Sequence, residues 1–252
     1  MERPPAQRGI ETRKDLTLCD YWHERVALHH EGRYAGLPML KFPEDLRTYE
    51  ELIWESRPEA IVELGRLGGG SALWFRDRMA TLHSYGGPRP VVVSVDISTA
   101  EANANLRSVD PSFEETITLI EGDLTLPSTV EAVRRAVGGR SCLVIEDSAH
   151  TRETTAAALA SFADLVPNEG FFVVEDGCVD VEWMRASDDW PRGVQPAVTE
   201  WLDGAGRNFV RRRDLEVYGF TCHPGGILQR RAEPPAPERQ LSATPESTRA
   251  PV

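Results

Sequence analysis

At 252 residues with 40% apolar side chains, the chain has the size and composition of one α/β domain with appendages, long enough to bury most of its unfolded surface. A formal charge of −12 excludes a nucleic-acid polymer as partner, because such binding requires a basic surface. No window approaches the roughly 18 uncharged apolar residues of a membrane span, so no membrane partner is expected. The opening MERPPAQRGIETRKD lacks the apolar core of a secretion signal and reads as disordered to about residue 14, which makes the cytoplasm the expected location. Between Leu16 and Glu31, the positions Leu16, Leu18, Tyr21, Trp22, Val26 and Leu28 predict an amphipathic helix, and 1–36 forms a helical extension. YAGLPMLKFPEDL then runs extended, since its two prolines disfavour a helix. A helix from Asp45 to Ser56 precedes Pro58, and later helices fall at about 70–82, 99–107, 127–137, 151–166 and 195–204. After Gly206, RNFVRRRDLEVYG, a Pro-Gly-Gly turn and ILQRR predict a closing antiparallel pair. The last stretch, 232–252, is rich in Pro, Glu, Ser and Thr and reads as a solvated tail, because it has too little to bury to offset its ordering entropy.

Five apolar runs each end in an acid: Ala60–Val62 before Glu63, Val91–Val95 before Asp96, Ile117–Ile120 before Asp123, Leu143–Ile145 before Asp147, and Phe171–Val174 before Glu175 and Asp176. Six or seven strands alternating with helices predict a three-layer α/β sandwich. In a doubly wound parallel sheet the ligand crevice lies outside the carboxyl ends of the strands, so the acids converge on one site. Cys19, Cys142, Cys178 and Cys222 show no C-x-x-C spacing, which favours reduced thiols over disulfides or zinc. The locally basic RNFVRRRD reads as a solvated edge strand balancing an acidic body. Lys14 and Lys41 are the only lysines among 28 basic residues, which singles out Lys41.

Glu63-Leu-Gly65-Arg-Leu-Gly68-Gly69-Gly70-Ser71 joins the first long strand to a helix. Such glycines allow positive φ and close approach of a ligand, while the helix start offers free N–H groups to an anion. There is no Gly-Lys-Ser/Thr ending and no G-x-G-x-x-G, which excludes a P-loop and the dinucleotide fingerprint. The E-x-G-x-x-x-G-G-S pattern, with Asp96 after the second strand and Asp123 after the third, resembles a class I S-adenosylmethionine-dependent methyltransferase. That resemblance implies a Rossmann-like, mostly parallel seven-stranded sheet with helices on both faces. It also implies that Glu63, Gly65, Gly69, Ser71, Asp96 and Asp123 face the cofactor. The plainer alternative is that Asp96 and Asp123 cap the helices that follow.

Asp147 ends the fourth run and Glu175-Asp176 the fifth, and neighbouring strands about 4.8 Å apart would bring these carboxylates within reach of one cation. Hard oxygen donors select Mg2+, Mn2+ or Ca2+ over zinc or copper. The alternative is that they are solvated strand ends pointing different ways. His150, three residues after Asp147, stands at the mouth of the same crevice and is a candidate general base.

Leu37-Pro-Met-Leu-Lys41-Phe-Pro43-Glu-Asp45-Leu, the Asp147-Ser-x-His150 segment and the ending Pro196-Ala-Val…Pro224-Gly-Gly-Ile-Leu narrow the resemblance. Over about 37–231 the chain is similar to the cephalosporin hydroxylase-like family of methyltransferases, a metal-dependent group of antibiotic pathways that includes sugar O-methyltransferases. The resemblance implies that Asp147, Glu175 and Asp176 ligate the metal, and that Lys41 contacts the cofactor or packs. It implies a methyltransferase domain over 37–231, a homo-oligomer, and a nucleotide-linked or glycosidic deoxysugar as small-molecule acceptor. A catechol or β-lactam acceptor, or a non-catalytic accessory subunit of an oxygenase, are the competing readings. Trp183, Trp190 and Trp201 lie where a substrate lid would be expected, although buried tryptophans are mostly core. Gly68, Glu146 and Gly177-Cys178 depart from the family pattern.

Overall fold

The computed structural model describes residues 14–232. The disorder expected before about residue 14 and nearly all of the 232–252 tail fall outside them. The chain begins with α1 (Leu18–Ala27), whose start is fixed by a capping box between Thr17 and Asp20. A small hairpin follows, β1 (Arg33–Tyr34) and β2 (Leu37–Pro38), turning at Ala35 and Gly36, both with positive φ. Next comes α2 (Pro43–Ser56), which begins two residues before the expected Asp45 because Pro43 suits the first helical position.

The body alternates strands and helices: β3 (Ala60–Leu64), α3 (Gly70–Ser84), β4 (Val92–Asp96), α4 (Ala100–Val109), β5 (Ile117–Glu121), α5 (Pro127–Val137), β6 (Cys142–Glu146), α6 (Arg152–Phe162), β7 (Phe171–Val174), α7 (Val194–Asp203), β8 (Phe209–Arg211) and β9 (Ile227–Arg230). The strands form one seven-stranded sheet in the order β5-β4-β3-β6-β7-β9-β8. Pairing is parallel from β5 to β7 and antiparallel at β7–β9 and β9–β8. The mostly parallel Rossmann-like sheet and the closing antiparallel pair agree with expectation, and the basic RNFVRRRD segment does supply the edge strand.

Because side chains alternate across a strand, β3 feeds two cores. Ala60, Val62 and Leu64 pack with Val144, Leu159, Phe162 and Val198 on one face, while Ile61 packs with Tyr49, Leu52, Phe75 and Leu143 on the other. Strands covered on both faces read as continuous apolar runs, which is why they are visible in the sequence. The order of winding reverses between β3 and β6, and that places a crevice over their carboxyl ends. Trp22 of α1 is fully buried in the first core, so α1 is packed onto the body. Among the described residues no helix is long and apolar enough to cross a membrane.

Candidate active site

A cavity of about 720 Å³ opens over the strand ends, and Gly65, Ser71, Asp96, Asp123, Lys41, Asp147, His150 and Asp176 all reach its wall. Glu63, Gly69 and Glu175 stand behind that wall. The sheet order explains the grouping: β3 is central, its glycine turn faces the acids of β4 and β5 on one side, and those of β6 and β7 stand on the other.

On the first side, Gly65 has φ +93, and a Cβ there would lie 1.9 Å from the Asp147 carbonyl oxygen. Only glycine allows the turn after β3 to touch the segment after β6. Gly69, also at positive φ, precedes α3, and a Cβ there would come within 3.2 Å of Ala102 and Leu106 of α4. The Arg66 N–H donates to Asp96 Oδ2 at 3.0 Å, and its guanidinium, 3% exposed, donates to the carbonyls of Ser94 and Ser98. Arg66 thus ties the glycine turn to the end of β4, a role that no sequence pattern announced. Asp123 accepts from the N–H and hydroxyl of Thr125, which holds its carboxyl below the usual range while it borders the cavity. Glu63 is fully buried and accepts from the Ser94 hydroxyl at 2.6 Å; burial pushes its carboxyl up, against the pull of Lys41.

On the second side, one ligand atom each from Asp147, His150 and Asp176 lie within 4.8 Å of one another. His150 precedes α6, whose start is fixed by Thr151 in a capping box with Thr154. His150 and Asp176 both have φ +54, a conformation that costs a non-glycine residue of order 1 kcal/mol or more. His150 Nδ1 lies 3.2 Å from Asp176 Oδ2, an ion-pair distance without hydrogen-bond alignment. Lys41 Nζ donates to Asp147 Oδ2 at 2.8 Å and to Glu175 Oε1 at 2.6 Å, and the Tyr49 hydroxyl donates to the same Glu175 oxygen. Burial alone would lower the Lys41 ammonium, yet Asp147 and Glu175 hold it well above the ordinary lysine value. Burial would likewise raise Glu175, but Lys41 and Tyr49 bind its charged form and bring it below the usual range. Asp147 is pushed well up by burial and by the charge of Glu175.

The oxygens of Asp147 and Asp176 with the His150 nitrogen are donors of the kind a hard divalent cation accepts, and Glu175 stands behind them, paired with Lys41. The residues fit such an ion. Cys178 and Cys222 also stand within ligand distance of Asp176, but soft thiol donors suit a hard divalent cation less well than oxygens.

The rest of the wall comes from segments outside the sheet. Trp22, Val26, His29, Trp190 and Pro191 all line the cavity. His29 stacks on Phe42 at 4.7 Å, and the Trp22 indole N–H donates to the Met184 carbonyl at 2.6 Å. The loop bearing Trp190 is gathered by Arg185, whose guanidinium donates to the carbonyls of Val179, Ser187, Asp188, Trp190 and Pro191. Of the three tryptophans singled out in the sequence, Trp190 borders the cavity, Trp183 is exposed, and Trp201 packs on Phe209.

A central parallel sheet with a glycine turn after its middle strand, and acids at the ends of its neighbours, is the class I methyltransferase arrangement. Residues 27–231 match the family model described as Rhamnosyl O-methyltransferase/CmcI, and the chain belongs to that family of O-methyltransferases. The rhamnosyl O-methyltransferase of Mycobacterium leprae is 30% identical over 218 residues, covering 83% of this chain and 88% of the relative. Its counterpart in Mycobacterium tuberculosis is 24% identical over 212 residues, covering 83% and 82%. A solved structure of CmcI with Mg and SAM superposes with a TM-score of 0.61 at 26% identity, over 91% of this chain and 89% of that one.

Proposed function

We propose that this protein moves a methyl group from S-adenosylmethionine to a hydroxyl of a deoxysugar, nucleotide-linked or glycosidic, with Mg2+ as its divalent ion, in a natural-product or antibiotic pathway. The observation that carries this reading is the meeting of Asp147, His150 and Asp176 on the cavity that the Gly65 turn also borders. Relatives over more than four-fifths of the chain are rhamnosyl O-methyltransferases, which supports a sugar acceptor, and the CmcI structure with Mg and SAM supports both cofactors.

S-adenosylmethionine supplies a methyl group activated on a sulfonium. Mg2+ supplies Lewis-acid polarisation and orientation of neighbouring hydroxyls. Asp147 and Asp176, both on the cavity wall, are the carboxylates that would hold the ion, with Glu175 buried behind them on Lys41 and Tyr49, while the Gly65 turn, Ser71, Asp96 and Asp123 would receive the cofactor. His150 takes the proton from the acceptor hydroxyl. Trp22, Val26, His29, Trp190 and Pro191 enclose the acceptor and exclude water. Much of the rate then comes from alignment, because the fixed wall turns a bimolecular encounter into an intramolecular one. Four free cysteines fit a reducing cytoplasm, and the exposed Trp54–Tyr85 pair gives a homo-oligomer an apolar contact.

The test is Asp147→Ala assayed with labelled cofactor. Metal-dependent turnover should vanish while S-adenosylhomocysteine still binds, and full activity of the native enzyme in excess chelator would overturn the metal half of the reading.

A further inference from the structure

Four separate segments meet at one ammonium group. Lys41 arrives from the stretch between β2 and α2, Tyr49 from α2, Asp147 from the end of β6 and Glu175 from the end of β7. The Lys41 side chain is 2% exposed and Glu175 3%, so this is an interior ion pair rather than a surface one. In a chain where lysine is scarce, the position holds the compact cation whose three donors can serve separate oxygens; a planar guanidinium would need more room. Lys41 lies on the carboxylate that the ion would need, since Asp147 Oδ2 is already a hydrogen-bond acceptor from it at 2.8 Å.

We propose that Lys41 is a resident counter-cation of the metal site: it balances Asp147 and Glu175 while the site waits for its ion, and competes with the ion for Asp147 once it arrives. This rests on the divalent-ion reading above and adds a positioning residue to it. Asp147 and Glu175 would repel one another if left unbalanced, and Lys41 keeps the two gathered without a metal. The same charge opposes an incoming dication, so affinity is set weaker than three carboxylates would otherwise give. Tyr49 fixes the Glu175 oxygen that Lys41 also holds, so that carboxylate keeps its orientation through loading.

The experiment measures Mn2+ binding by titration calorimetry and melting temperature with and without Mn2+, on the full chain. Lys41→Met and Lys41→Gln should bind Mn2+ about tenfold more tightly than the native protein, because a unit positive charge beside the ion has been removed. Both should melt lower than native protein without Mn2+, and the deficit should narrow at saturation. Tyr49→Phe loosens the same cluster with no change of charge, and its Mn2+ affinity should stay within about twofold of native. Neutral variants that bind Mn2+ no more tightly than native, or that lose as much melting temperature with the ion as without it, overturn the proposal. Should Lys41→Met not remain folded, Lys41→Gln, whose amide still donates to one carboxylate, carries the comparison. A native protein that binds no Mn2+ overturns the divalent-ion reading, an outcome distinct from failure of the variants.

Discussion

His150 and Asp176 sit side by side in a backbone conformation that side-chain-bearing residues avoid, and the surrounding structure holds both there. The capping box at Thr151 fixes one, and the short turn of Gly177–Asp180 fixes the other. His150→Gln should therefore keep the fold and S-adenosylhomocysteine binding while turnover falls by about 10²–10⁴-fold, read by steady-state kinetics against calorimetry. Unchanged turnover would remove His150 from the chemistry. Glu63 carries a different expectation. Burial raises its carboxyl above the unfolded value of about 4.3, so the folded chain holds that proton more tightly. The stabilising contribution is complete below about pH 4.3 and is lost as pH rises through the elevated value. Glu63→Gln should remove this slope, so denaturant stability of the variant should gain on the native protein between pH 5 and 8; parallel curves would show that Glu63 is not its source. Lys41 was conspicuous in the sequence because lysine is scarce, and Asp147 and Glu175 as strand-end acids, but their pairing and the part of Tyr49 were not. Tyr49 and Glu175 lie 126 positions apart, and the packing of α2 on the sheet face beside β6 and β7 joins them.

The long strands were legible because a run of apolar residues closed by an acid is what a strand covered on both faces looks like. The hairpin of β1 and β2 was not, since two residues are too few to show a period, and its contribution is a close approach. The Pro38 carbonyl comes so near the start of α3 that a Cβ on Gly70 would meet it at 2.3 Å. The Arg185 cluster was equally hidden, because a side chain that gathers carbonyls leaves no residue pattern. Removing it leaves five carbonyls of the 179–191 segment without that donor. On the proposed reading, in which Trp190 and Pro191 enclose the acceptor, Arg185→Met should raise the acceptor KM several-fold with S-adenosylhomocysteine affinity unchanged. An equal loss of both affinities would mean the loop supports the whole cavity. Trp22→Ala should cost about 3–5 kcal/mol in denaturant unfolding, as an indole in a packed core leaves a cavity behind. A cost below about 1 kcal/mol would show that α1 is only loosely attached.

Across the whole molecule, one sheet divides the work. Its β3–β5 half presents the glycine turn and Asp96, its β6–β7 half presents Asp147 and Asp176, and both open on one cavity. S-adenosylhomocysteine at about 100 times its Kd should stabilise the fold by about 2.7 kcal/mol and raise Tm by about 5–11 °C for a chain of this size. No shift in a melting scan would mean that the cavity does not take the cofactor. Sheet order made the convergence of the acids foreseeable, whereas which of them face the cavity depends on side-chain direction. Glu63 and Glu175 end the same kind of strand as Asp96 and Asp147 but turn inward.

Gly65 has no side chain, and the backbone of Asp147 occupies the space one would need. A single methyl at that position would force apart the two arms that must cooperate, so inherited change at either arm has to be matched at the other. The rim formed by α1 and residues 182–191 carries no such constraint. Descendants of this chain can therefore drift in what they methylate while the apparatus of transfer stays frozen.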